Sequence, residues 1–277
     1  MAMVMLCFFG LNLLGQELHL NTPPVLEKHP FFNTEFIQRK SVKSIQTQVL
    51  YKVPNKKIRE TTESVNYTFD KEGRVSKLVS VNSLAVKDSV SFVYNKQGQL
   101  IKEYQISCTR NEEKSFTYNP EGLLLKLELM DSETNELINK EEFKYESFVD
   151  NQYKRYYLND ENLTYKSEVV DLDDLGRITE SRIRYIRGMN KEYTTYTYDA
   201  DRLVIYSYNK KEITRREERY EMTYDENSVL QITKKFIDGA LVHRYEYLYE
   251  EGIMIAILRK NMKNQEIQIT KMKYSFY

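Results

Sequence analysis

Cysteine is nearly absent from this chain. Only Cys7 and Cys108 occur, and Cys7 lies in an apolar start that reads as removable, so no intramolecular disulfide is expected to hold the fold together. Nine glycines and five prolines in 277 residues exclude a low-complexity linker. Neither sign of charge is in excess: 41 Lys and Arg balance 41 Asp and Glu, so bulk charge points to no polyanion and no nucleic-acid partner. There are three histidines, His19, His29 and His243, and no His, Cys and Glu cluster has metal-ligand spacing. No nucleophilic serine motif or glycine-rich phosphate loop is present either. The expectation is a non-enzymatic chain with no cofactor and no metal.

Long apolar runs are also missing, with one short exception. Residues 1 to 15 carry no charge and include Val4-Met5-Leu6-Cys7-Phe8-Phe9, too few for a bilayer-spanning helix of about 20 residues. They read as a signal peptide cleaved at Gly15-Gln16, which predicts export to the periplasm, the cell surface or the medium. Residues 16 to 43 contain Pro23-Pro24 and His29-Pro30 without a sustained period, which predicts an extended arm with one short helix from Thr34 to Arg39.

Tyrosine is what the chain has in quantity, 23 residues beside 12 Phe. Many of these fall in one recurring stretch. It is clearest as Tyr67-Thr68-Phe69-Asp70-Lys71-Glu72-Gly73-Arg74-Val75, and returns as Phe92 to Leu100, Phe116 to Leu124 and, more loosely, Val170 to Ile178. Worn copies begin at Phe143, Tyr196, Met222 and Tyr247. The residue before the turn falls at 69, 94, 118, 145, 172, 198, 224 and 249, with spacings of 25, 24, 27, 27, 26, 26 and 25. Aromatic-x-aromatic describes a strand. Asp or Asn followed by Gly describes a tight turn, the side chain accepting a backbone hydrogen bond and Gly taking positive φ. Second turn signals lie between these, the clearest being Asp238-Gly239. Residues 44 to 277 are therefore predicted as an all-β antiparallel meander of about 16 to 18 strands, built from eight hairpin repeats of about 26 residues. Such a sheet should curl into a shell, an open barrel or a solenoid-like sheet. Met272, Tyr274 and Phe276 alternate with Lys271, Lys273 and Ser275, marking the closing strand.

The pattern aromatic-x-aromatic-Asp-x-x-Gly-Arg-apolar resembles the YD repeat of the Rhs and teneurin families over roughly residues 60 to 260. What that resemblance implies is a sheet-building hairpin unit.

Function follows less directly. The turn acids Asp70, Asp173, Asp199 and Asp225 are read as turn caps, His243 as a strand residue, and Glu141-Glu142 and Glu217-Glu218 as a solvated face. Rings on a half-wet sheet can stack on sugars, which makes Tyr193, Tyr196, Tyr198, Tyr206 and Tyr208 the candidate ligand-contacting residues. The expected function is a binding or scaffolding module of the cell envelope, with a glycan or an envelope protein as partner. The alternative is an outer-membrane or periplasmic β-barrel-like protein binding lipid or glycan. Charged strands such as Arg182-Ile183-Arg184 argue against a membrane-spanning barrel.

Overall fold

The computed structural model describes residues 34–149, 151–188, 191–200, 202–211 and 215–277. The expected leader and most of the arm lie outside them. Helix α1 spans Thr34–Arg39. The strands are β1 Val42–Lys52, β2 Arg59–Phe69, β3 Val75–Val81, β4 Lys87–Tyr94, β5 Leu100–Ile106, β6 Asn111–Tyr118, β7 Leu124–Asp131, β8 Leu137–Val149 and β9 Gln152–Leu158. They continue as β10 Thr164–Leu172, β11 Ile178–Tyr185, β12 Lys191–Asp199, β13 Arg202–Lys211, β14 Arg215–Tyr224, β15 Leu230–Ile237, β16 Ala240–Glu250, β17 Ile253–Asn261 and β18 Ile267–Phe276. Among the described residues, one compact unit comprises 94–102 with 112–219, and the other 34–93, 103–111 and 220–277.

The turn chemistry is local and repetitive. At Asp70, Asn82, Asn95, Asn119, Asn159, Asp173 and Asp225 the backbone N–H of the first residue donates to the carbonyl four residues on, and that of the fourth residue donates back to the first carbonyl. The Asp or Asn Oδ1 accepts from the fifth residue's N–H in each case. The fourth residue has positive φ throughout, whether it is Gly73, Ala85, Asn162 or Ser228. Ser228 thus does the work of the expected glycine. Arg74 and Arg177 add a guanidinium contact to the turn Asp at 2.7 Å, which accounts for the Arg that follows Gly in the motif. This turn also joins β3 to β4 and β9 to β10, so the turn type alone does not mark one end of a hairpin unit, and the eight-repeat scheme is not established by the strands. The meander itself stands, with 18 strands among the described residues.

The sheet is closed, which corrects the expectation of an open barrel, a shell or a solenoid-like sheet. Strand β1 pairs antiparallel with β2 on one side and with β18 on the other, Ile45 lying opposite both Tyr67 and Tyr274. The 18 strands therefore form a barrel in their pairing, and β18 is the closing strand. Closure removes the two rows of unpaired backbone groups that an open sheet would present to other chains.

A second regularity explains why the motif favours tyrosine. The strand that leaves the turn carries a bulge near its start: Tyr118 lies opposite Leu124 but Thr117 opposite Lys126, and the same skip occurs at Thr179, Val204 and Ile255. Pairing with the next strand begins only after the bulge, at Lys126↔Glu142, Glu180↔Thr195 and Ala256↔Lys271. The carbonyls of Leu124, Ile178 and Met254 thus lie beyond the ladder, and a buried carbonyl needs a donor. Tyr145, Tyr198 and Tyr274 supply it through their hydroxyls at 2.7 to 2.9 Å, as Tyr118 does to Leu100 and Tyr249 to Leu230. Burial pushes the hydroxyls of Tyr118, Tyr198, Tyr249 and Tyr274 up to about 12, so they keep the proton they donate. Tyr198→Phe should therefore cost about 1 to 3 kcal/mol, the penalty of an orphaned carbonyl, with the strand register unchanged. Chemical denaturation and the amide spectrum test this; a loss under about 0.3 kcal/mol would refute the role.

In the unit holding β1, the buried core is Ile37, Val42, Ile45, Tyr67, Phe69 and Leu78, with Ile45 fully enclosed. Ile37 comes from α1, whose one buried residue covers the sheet beside the β2–β3 turn. Gly73 lies against that helix: a Cβ there would sit 2.2 Å from the Thr34 carbonyl oxygen.

Candidate functional site

The five tyrosines singled out from the sequence lie on β12 and β13, but not as one surface. Tyr196 and Tyr206 face each other across the strands with ring centroids 5.3 Å apart, edge to face, and both are buried. Tyr208 is on the same face, opposite Thr194, with its hydroxyl raised by burial and by the Glu192 carboxylate it bonds. Tyr198 satisfies the Ile178 carbonyl at 2.9 Å. Tyr193 alone is on the exposed face, donating to Glu180 at 2.8 Å. Alternation along β12 separates Tyr193 from the rest.

The sequence did not single out the polar cluster enclosed beside them. Arg155 on β9 and Glu168 on β10 lie directly opposite each other, 8% and 6% exposed. Arg155 donates to Glu168 Oε2 through Nε at 3.1 Å and Nη2 at 2.6 Å, Tyr157 donates to the same oxygen at 2.6 Å, and Ser181 donates to Oε1 at 2.6 Å. Burial alone would raise the Glu168 pKa. The Arg155 charge and the hydrogen bonds outweigh it and hold the carboxyl below its ordinary value. The arrangement is an enclosed ion pair whose carboxylate receives three donor contacts on Oε2 and one on Oε1.

Next to it, the Lys166 ammonium stands 3.6 Å from the centre of the Tyr157 ring, and burial holds its pKa down. Glu141 accepts from Tyr165 here, whereas its neighbour Glu142 pairs with Lys140 on the other face at 2.5 Å. The pair read as one solvated face is thus split by strand alternation. His243 lies on β16 opposite Lys235 and Asn261, its pKa lowered by burial and by Arg259 and Lys235. Among the described residues no group of three or more His, Cys, Asp or Glu comes together to hold a metal.

The exposed faces are charged strand by strand. In one unit Lys126 pairs with Glu128, Lys140 with Glu142, Lys154 with Glu146, and Arg182 with Asp171 and Glu180. In the other, Arg244 pairs with Glu246. No helix is long and apolar enough to cross a membrane among the described residues.

No family model and no curated protein matches the chain. Solved structures that the chain matches include a porin-like protein from Bacteroides uniformis, at 10% identity and a TM-score of 0.42, covering 85% of this chain and 97% of that one. A porin-like protein from Bacteroides vulgatus matches at 9% identity and a TM-score of 0.32, covering 82% and 97%. The TcdB2-TccC3-Cdc42 structure matches at 11% and 0.31, covering 83% of this chain, which spans 16% of that one.

Proposed function

We propose that the protein is an exported, barrel-like binding protein of the cell envelope that works in water and takes a glycan rather than a lipid. One observation carries this: charged and hydrogen-bonding side chains occupy both faces of a closed sheet. On the exposed face, Lys154, Arg182 and their partners lie where a membrane barrel needs an apolar band about 25 Å tall, and each Arg or Lys at mid-bilayer costs about 2 to 4 kcal/mol. On the buried face, Arg155, Glu168, Ser181 and Thr194 interrupt any apolar lining that an acyl chain would need. Closure also favours the barrel-like reading over scaffolding, because β1 and β18 offer no free edge on which a partner strand could be added.

Cell fractionation tests this. The mature chain, beginning near Gln16, is expected in the osmotic-shock fluid, and a glycan array should return saccharide ligands. A full-length chain in the cytosol, or one that stays in carbonate-washed membranes, would overturn the proposal.

A further inference from the structure

The exposed face of β18, β1 and β2 carries a basic depression of about 560 Å³. An irregularity in β2 builds it. Gln48 lies opposite Ser64 and Leu50 opposite Glu60, so β2 spends extra residues across from Val49. Thr61 pins this bulge, donating to the Val49 carbonyl at 2.7 Å and accepting from the Glu63 N–H at 3.2 Å, while Thr62 donates to the Asn82 carbonyl at 3.0 Å. Bulges of this kind interrupt a ladder and re-aim side chains.

Cross-strand pairing then aligns two rows on one face, Lys271–Gln48–Ser64 and Lys273–Gln46. Among the described residues, none of these five side chains has a hydrogen-bond or ion-pair partner. No carboxylate lines the depression. At two places on the exposed faces of the other unit a lysine is answered by a glutamate two residues along its strand, Lys126–Glu128 and Lys140–Glu142. At Lys271 the residue two along is another lysine. In a chain of zero net charge, two unanswered ammonium groups beside free amides and a free hydroxyl form a local site for a ligand bearing both anionic groups and hydroxyls. Residues two apart on a strand are about 6.7 Å apart, so the two ammonium groups can be spread over one ligand segment rather than a single small anion.

We propose that this depression binds an acidic saccharide, a chain whose carboxylates meet Lys271 and Lys273 and whose hydroxyls meet Gln46, Gln48 and Ser64. The inference rests on the glycan-binding proposal and specifies where and what it binds. Isothermal titration with a galacturonate oligosaccharide, beside a neutral galactan of equal length, decides it. The acidic probe should bind at least tenfold more tightly than the neutral one, and affinity should fall with added salt. Lys271→Ala with Lys273→Ala should weaken binding at least tenfold while leaving the melting temperature unchanged. Lys271→Gln with Lys273→Gln, which keeps the stems and loses the charge, should weaken it as much. Equal affinity for both probes, unchanged binding by the variants, or no binding of the acidic probe would overturn the inference. Neutral glycans bound equally well by wild type and variants would leave the glycan reading standing while overturning this site. No binding of any saccharide would overturn both.

Discussion

Replacing Arg155 with Ala is expected to destabilise the protein by about 3 to 5 kcal/mol at neutral pH, because it leaves the Glu168 carboxylate enclosed without its cation. The cost comes less from the lost attraction than from the charge left behind. A dependence on pH distinguishes the two. In the wild type the Glu168 pKa is lowered on folding, so its contribution is fully present above the ordinary carboxylate value and is lost as pH falls through the lower folded value. In Arg155→Ala burial loses its largest single opponent, leaving only the Ser181 and Tyr157 hydrogen bonds against it, so the folded pKa is expected to rise. Protonation then relieves the buried charge, and the variant's deficit should shrink as pH falls from 8 toward 5. Urea denaturation at those two values measures it. A deficit independent of pH would contradict a Glu168 protonation that relieves the buried charge in this range. Arg155→Leu together with Glu168→Leu should cost less than the sum of the two single changes, with a coupling of about 1 to 3 kcal/mol.

Gly73→Val should cost about 2 to 5 kcal/mol, more than the turn alone explains. The backbone there has φ of +80°, a left-handed conformation that disfavours any Cβ by about 1 to 2 kcal/mol, as the sequence already indicates. The structure adds the Thr34 carbonyl oxygen, 2.2 Å from where that Cβ would be. Because the obstacle is helix backbone, α1 must move and draw Ile37 off the core of Val42 and Phe69, a strain of the order of 1 to 3 kcal/mol. Gly176 is the internal control, with φ of +76° and open space around it. Gly176→Val should show only the left-handed penalty, about 1 to 2 kcal/mol. Equal losses at the two positions, by thermal or chemical denaturation, would show that the approach of α1 has no energetic weight.

These residues also show what was legible in the sequence. Turns are written locally, since an Asx side chain and a positive-φ residue lie within four positions, so the strand count and the Asp238-Gly239 hairpin could be read directly. Closure could not. Ile45 and Tyr274 are adjacent only because β1 and β18 meet, and both have the alternating pattern of any half-buried strand. Arg155 and Glu168 sit among Lys, Arg and Glu, and which of these turn inward depends on register, so an enclosed ion pair resembled a solvated face. Leu125 departs in the opposite sense: Leu123, Leu125, Leu127 and Leu129 alternate in the sequence as one apolar row, yet the bulge leaves Leu125 exposed. The reading of the tyrosines as half-wet rings fits Tyr193, but Tyr196 and Tyr206 are buried. The hydroxyl of Tyr198, however, has its purpose in a carbonyl that is orphaned only because the ladder between β11 and β12 begins two residues later.

Closure of the sheet underlies both the barrel-like fold and the absence of a free edge, and the Ser44–Ser275 pair tests it most directly. Their hydroxyl oxygens are 2.6 Å apart across β1 and β18 on the exposed face. With Cys7 and Cys108 changed to Ser, Ser44→Cys with Ser275→Cys should oxidise completely in the folded protein, keep the wild-type yield, and raise the melting temperature by tying residues far apart in the chain. Two thiols that remain free and freely alkylated in the native state would contradict the closed sheet.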